Sequence, residues 1–330
     1  MTIPNLQKLV DQKFILVLGA GASMDYEFPS WCQLRVKILE KLDAEIAKDQ
    51  TSLDHRLAVK WKQTINRADF NVNTIDHVIS ENYGNLVERH WIVQIIKNIL
   101  SECEKDDFES QTDNVRWVEK LSAKFEELLR MYADRKDDAA ILKLLENFTV
   151  VSLNYERCFA YYFFPKLRDF FTEAHMRDKD FLSNRSSSLT QFFTTYQPHG
   201  SLGFMSIPGK NRIGNPISVV KVADGNKYSN FRSSSNGTSY GANSSEHNHI
   251  ELVGEGDMIQ NYNELNSKVV SGAKYCLIIG LSDIGLEGCQ IDWSKFEKVF
   301  YSGRQVPSST QGNFNCMNKY ANDIVELLCL

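Results

Sequence analysis

The sequence predicts an α/β protein, a doubly wound parallel sheet carrying a large helical insertion. Three observations carry that expectation. The run Phe14-Ile15-Leu16-Val17-Leu18 is wholly apolar and ends in Gly19-Ala20-Gly21, the pattern of a strand buried on both faces entering a tight turn. The device returns as Tyr275-Cys276-Leu277-Ile278-Ile279 before Gly280, and a third such run, Phe148-Thr149-Val150-Val151-Ser152-Leu153, lies between them. Stretches of helical periodicity separate the strands, and that alternation closes into a parallel sheet.

Taken in order, residues 1–13 read as a short amphipathic lead-in with Leu6, Leu9 and Val10 on one side. Lys8 and Lys13 before an apolar run and Ala20-Gly21-Ala22 mimic a secretory signal with its cleavage site,. Asp11 falls in the would-be basic region, and the strand reading explains more of the chain, so a cytoplasmic protein is expected. Strand and glycine turn occupy 14–23. Leu34, Ile38, Leu42 and Ile46 then recur at i, i+4, predicting a helix over about 31–47,. The insertion, 41–147, reads as helical almost throughout. Trp91, Ile95 and Ile99 form one stripe and Trp117, Leu121, Phe125 and Leu128 another, in a block suited to lid a site or make a protein interface,.

The strand at 148–153 leads through Asn154-Tyr155-Glu156 into an aromatic helix with Phe159, Tyr162, Phe163 and Phe170, which core packing explains,. A strand-to-loop segment at 189–205 holds His199 between Pro198 and Gly200. Residues 225–249 are dominated by Ser, Asn and Gly and read as a mobile loop, in which His247 and His249 lack further metal ligands,. A helix around 257–271, the strand before Gly280, a short strand at 298–302 and an amphipathic helix over 316–329 complete the chain.

Composition narrows the function. With 330 residues, 42% apolar and 24% charged, the chain can bury an ordinary globular core,. A net charge of −5 and a pI near 5.9 argue against direct nucleic-acid binding,. Seven scattered cysteines include no C-x-x-C pair, so reduced thiols are expected and neither a zinc ribbon nor another metal is,. No apolar run approaches the ~20 residues that span a bilayer.

In a doubly wound sheet, ligands bind beyond the carboxyl ends of the strands. The residues to collect are therefore 19–23, 154–156, 199–201, 280–283 and 301–302. The glycines would let the backbone approach a pyrophosphate, with free N–H groups at the following helix start aimed at it. The dehydrogenase fingerprint needs a glycine where Met24 stands, and the Gly-Lys-Ser/Thr of a P-loop is absent,. His199, with an unperturbed pKa near ~6.5, suits a proton acceptor at neutral pH. It also fits a loop histidine satisfied by backbone, as Asn154 fits a turn or helix cap.

Four motifs in order resemble the Sir2-like (sirtuin-fold) family, closest to its bacterial anti-phage effector branch. They are Gly19-Ala20-Gly21-Ala22-Ser23 with downstream Pro29-Ser30-Trp31, then Ser152-Leu153-Asn154-Tyr155-Glu156, Pro198-His199-Gly200-Ser201, and Ile279-Gly280-Leu281-Ser282-Asp283. The helical block 41–147 and residues 206–272 match no motif. The resemblance implies a single Rossmann-like domain over 1–330, its sheet built from 1–40 and 148–330, that binds NAD as substrate. Gly19, Ala20, Gly21, Ala22 and Ser23 would hold the pyrophosphate, and Gly280, Ser282 and Asp283 the adenosine half. Pro29, Trp31 and Glu156 would also contact the NAD, Glu156 at the nicotinamide amide. Asn154 would orient the ribose or a water, and His199 would act as general base. Glu156 stands where the family commonly has Asp, one methylene shorter. The zinc-binding cysteine pairs of the protein deacylases are missing, which favours water as acceptor and an NAD glycohydrolase over a deacylase. A regulated defence effector working as a homo-oligomer or with a partner protein is the implied setting. A non-catalytic NAD or ADP-ribose-binding assembly module is the alternative.

Overall fold

The computed structural model describes residues 5–48, 50–70, 73–109, 115–156, 158–177, 194–199, 221–224, 262–303 and 312–329. Within them lie seven strands: β1 (Phe14–Leu18), β2 (Phe148–Ser152), β3 (Thr194–Gln197), β4 (Lys221–Asp224), β5 (Tyr275–Ile279), β6 (Lys298–Tyr301) and β7 (Phe314–Cys316). They form one sheet in the order β4-β3-β2-β1-β5-β6-β7, and every neighbouring pair is parallel. The chain builds outward from β1 to β4 on one side, then returns to lay β5, β6 and β7 on the other. The order therefore reverses between β1 and β5, and the crevice there is where such sheets bind ligands. Leu18 is level with both Ser152 and Ile279, so β1, β2 and β5 end together.

Alternate strand residues feed two cores, as a period of two requires. Phe14, Leu16, Leu18, Phe148, Val150, Leu277 and Ile279 join the larger core, whereas Ile15, Val17, Val151, Cys276 and Ile278 join the smaller. The larger core lies under the helices α1 (Leu6–Val10), α2 (Trp31–Ile46), α3 (Leu53–Arg67), α4 (Ile75–Asn82), α5 (Leu86–Glu109), α6 (Trp117–Asp134), α7 (Asp138–Asn147) and α8 (Cys158–Arg177). The smaller holds Leu265, Val269 and Val270 of a π-helical turn together with Leu286 of the short helix α9 (Asp283–Gly288). The helical insertion therefore shares a core with the sheet. Phe125 of α6 lies fully buried, 4.4 Å from the Phe148 ring of β2 and 5.4 Å from Phe163 of α8, centroid to centroid.

The expected stripe on α6 is buried, as are Leu34, Ile38 and Leu42 of α2. On α5 the buried line is shifted: Ile92, Ile96, Ile99 and Leu100 are inside, while Trp91 and Ile95 lie at its margin. The indole N–H of Trp91 instead donates to Asp54 at 2.9 Å. Two strands escaped the sequence reading. β4 is the half-polar Lys221-Val222-Ala223-Asp224, and β7 spans three residues, of which Cys316 falls at the start of the expected closing helix. Asn318, at φ +50°, turns the chain before the closing helix α10 (Ala321–Cys329). Of the helix expected at 257–271, residues 262–264 are helical and Leu265–Val270 π-helical. The polar segment 225–249 lies outside the described residues.

Candidate ligand cleft at the switch point

The glycine turn is locked before any ligand is considered. Residues Ala20–Tyr26 form a 3-10 helix, and α2 starts only at Trp31, where Ser30 and Gln33 form a reciprocal capping box,. The N–H of Gly19 donates to the Ile279 carbonyl at 2.9 Å, that of Gly21 to Gly280 at 2.8 Å, and that of Ala22 to Gly19 at 2.9 Å. Gly280 adopts φ +71°, and a Cβ there would fall 1.9 Å from the Ala22 nitrogen. Added Cβ atoms on Gly19 and Gly21 would meet the Gly280 backbone at 2.7 and 3.0 Å. These glycines pack the two loops of the switch point together. Three of the turn's N–H groups thus already have backbone acceptors.

The start of α6 grips the same turn. The Trp117 indole donates to the Ala22 carbonyl at 2.8 Å, and the Val118 N–H to the Tyr26 hydroxyl at 3.1 Å. Arg116 stacks between the rings of Tyr26 and Tyr162, at 4.1 and 4.6 Å from their centroids, and pairs with the buried Asp107 at 2.5 Å.

Beyond β2 a buried polar knot forms. The Asn154 amide nitrogen donates to the Gly19 carbonyl (3.0 Å), the Ser23 hydroxyl (3.2 Å) and Glu156 (3.0 Å). Because the Gly19 carbonyl can only accept, the amide orientation is fixed, and Oδ1 is the atom Asn154 can offer a ligand. Glu156 also receives the Ser23 hydroxyl and, at 2.5 Å, the Cys158 N–H. Burial pushes its carboxyl up to about 7, against the pull of those hydrogen bonds,. Gln197, at the end of β3, donates to the carbonyls of Asn154 (2.8 Å) and Glu156 (3.2 Å), tying the two strand ends together.

His199 follows β3 by two residues. Its Nε2 lies 2.8 Å from the Tyr262 hydroxyl, and its ring sits edge-to-face with Tyr262 and 6.2 Å from that of Tyr155. The residue retains some exposed surface, yet the ring is enclosed enough that desolvation pulls its pKa down to about 4. His199 is thus neutral at physiological pH.

A cleft of about 280 Å³ opens at this edge and joins Gly19, Ala20, Trp31, Asn154 and His199, drawn from three separate stretches of the sequence. Beside it a smaller cavity of about 40 Å³ is lined by Ala20, Ser23, Pro29, Trp31, Asn154 and Glu156 with apolar neighbours such as Phe28 and Leu153. Neither is lined by Gly21, Ala22, Gly280, Ser282 or Asp283. Ser282 caps α9 by accepting the Gly285 N–H at 3.1 Å, and Asp283 accepts the Tyr301 hydroxyl at 2.9 Å. Gly200 and Ser201 lie outside the described residues.

The cleft also has walls that strand-end reasoning does not reach: Thr74, Asp76 and His77 of the α4 start, and Ile284 and Glu287 of α9. Asp76 carries no distinguishing signal, because an acid opening a helix is ordinary. Gln197 did carry one, being a polar residue at a strand's carboxyl end just before Pro198-His199. Among the described residues, no group of three or more His, Cys, Asp or Glu gathers to hold a metal, and no helix is long and apolar enough to cross a membrane. All seven cysteines are free thiols. No protein-family model, curated protein or solved structure matches the chain. Fold and site together define a class: a doubly wound parallel α/β protein with a polar cleft at its topological switch point.

Proposed function

We propose that the protein is an NAD glycohydrolase, cleaving the nicotinamide–ribose bond to release nicotinamide and ADP-ribose. The observation that carries this reading is the meeting of Asn154 and His199 beside the Gly19–Ala20 turn in one switch-point cleft. Both offer acceptors, Oδ1 of Asn154 and a neutral imidazole nitrogen of His199, which suit ribose hydroxyls and an attacking water. For Nδ1 of His199 to serve as that acceptor, Nε2 must carry the ring proton and donate it to the Tyr262 hydroxyl, 2.8 Å away,. A dinucleotide exceeds the described cleft, and with three turn N–H groups engaged the phosphates would pass over the turn while the reacting end enters the cleft. Ser23 and Glu156 hold Asn154 in position rather than presenting free groups of their own. The four ordered motifs extend the reading to a regulated antiviral effector that assembles with itself or a partner protein.

His199→Ala and Asn154→Ala should each reduce nicotinamide release by about 100-fold or more, the scale of removing a general base or a positioned polar group. Unchanged thermal midpoints would assign the loss to the site. Retention of turnover in both variants contradicts the reading. One observation favours a second reading, a non-catalytic NAD or ADP-ribose module: a histidine with a pKa of about 4 is a weak base at neutral pH. Tight dinucleotide binding without turnover would select it.

A further inference from the structure

Gln197 stands between the two residues on which the cleft depends. It closes β3, is only 2% exposed, and precedes His199 by two positions. Its side-chain nitrogen reaches the segment that carries Asn154, donating to the carbonyls of Asn154 at 2.8 Å and Glu156 at 3.2 Å. Carbonyls can only accept, so the amide has one orientation and Oε1 is the atom left over. That oxygen is buried and finds no donor among the described residues. An unpaired buried acceptor costs stability, and a native structure that keeps one calls for a reason other than stability.

The strand register shows what this side chain does. β2 and β3 pair through Val150–Thr195 and Val151–Tyr196, and Gln197 itself pairs with Asp224 of β4, which fixes its backbone in the sheet. Asn154 lies three residues past Val151, where the chain has already left β2. Among the described residues its other hydrogen bonds come from its own stretch or from the turn after β1. Its N–H donates to the Ser152 hydroxyl at 3.2 Å, and its side-chain amide to Gly19, Ser23 and Glu156. Those bonds tie Asn154 to β1. The Gln197 bonds tie it to β3, the strand that leads into His199.

We propose that Gln197 is a positioning residue that sets the spacing of Asn154 and His199 across the cleft, acting through Asn154 rather than by touching the ligand. The inference rests on the glycohydrolase reading. Gln197 lines neither the larger cleft nor the smaller cavity beside it. Without its amide, residues 154–156 are released from β3 and Asn154 Oδ1 shifts against His199. A misplacement of ~1 Å in such groups costs up to about 100-fold in rate.

The test measures nicotinamide release by the full chain across NAD concentration for Gln197→Met, Asn154→Ala and the two combined, with thermal midpoints as the check on folding. Methionine keeps length and bulk without donors. Gln197→Met should lower kcat about tenfold or more and leave KM within about twofold, the pattern of a group that acts on the reacting geometry and not on binding. In the Asn154→Ala background the same substitution should change kcat by less than about twofold, since the group it positions is gone. An unchanged kcat in folded Gln197→Met overturns the inference. So does an equal further loss in the Asn154→Ala background, which is what a merely structural role gives. Where Gln197→Met fails to fold, Gln197→Glu carries the same test: it keeps the shape, presents at most one donor, and a full kcat in it overturns the inference. Each of these results leaves the glycohydrolase reading standing. An unaltered protein that releases no nicotinamide removes that reading and this inference together.

Discussion

Two glycines at positive φ separate conformational strain from close packing. Gly272, at φ +79°, has nothing within 4 Å of an added Cβ, whereas Gly280 at φ +71° faces Ala22 and Gly21 backbone. Gly272→Ala should therefore cost only the left-handed penalty of ~1–2 kcal/mol. Gly280→Ala adds a backbone clash and should cost at least about twice as much. Urea denaturation of both variants checks the ordering, and equal costs would contradict the packing role. Glu156 gives a pH signature. Its folded pKa is raised, so its stabilising contribution is fully present below ~4.5, the usual carboxyl range, and is lost as pH rises through about 7,. His199 has the opposite sign: its contribution is present above ~6.5 and is lost as pH falls through about 4,. Between pH 6 and 8 Glu156 dominates, and unfolding free energy should fall by about 1 kcal/mol on its account. Glu156→Gln should remove that fall and leave the opposite, rising contribution of His199, read from denaturant titrations at the two pH values,. Asn154 and His199 were legible in the sequence because a strand end or a Pro-His-Gly frame marks each. Asp76 and Tyr262 were not, since the place of Asp76 in the cleft wall and the contact of Tyr262 with His199 depend on tertiary packing that no local pattern encodes.

The element that most directly governs the turn is the start of α6. Arg116, Trp117 and Val118 hold the 3-10 helix through Tyr26, Ala22 and the Asp107 pair. Arg116→Met would leave the Asp107 carboxylate buried without its cation, a loss of about 3–5 kcal/mol. Pairing it with Asp107→Asn should recover part of that loss, and thermal unfolding of the single and double variants measures the coupling. Full additivity would contradict the latch. Elements with strong periodicity or long apolar runs, β1, β2, β5, α2 and α6, were legible in the sequence. β4, β7 and the 3-10 helix were not, because each is short and held by neighbouring elements rather than by its own residues.

At the scale of the whole molecule, the helical insertion and the sheet face form one hydrophobic cluster, with Phe125 packed against Phe148. Removal of 41–147 would strip the cover from β1 and β2, and such a truncated chain should lack a cooperative unfolding transition by circular dichroism. A sharp transition in it would show that the sheet stands alone. The doubly wound order was foreseeable because three buried strands alternate with helices, and the site followed from where those strands end. The account's central claim is that this switch-point cleft consumes NAD. Incubating the purified full chain with NAD across a range of protein concentrations and quantifying the products tests it most directly. The account predicts nicotinamide and ADP-ribose in equal amounts, lost in His199→Ala. Absence of nicotinamide at every concentration, from folded protein, would contradict it.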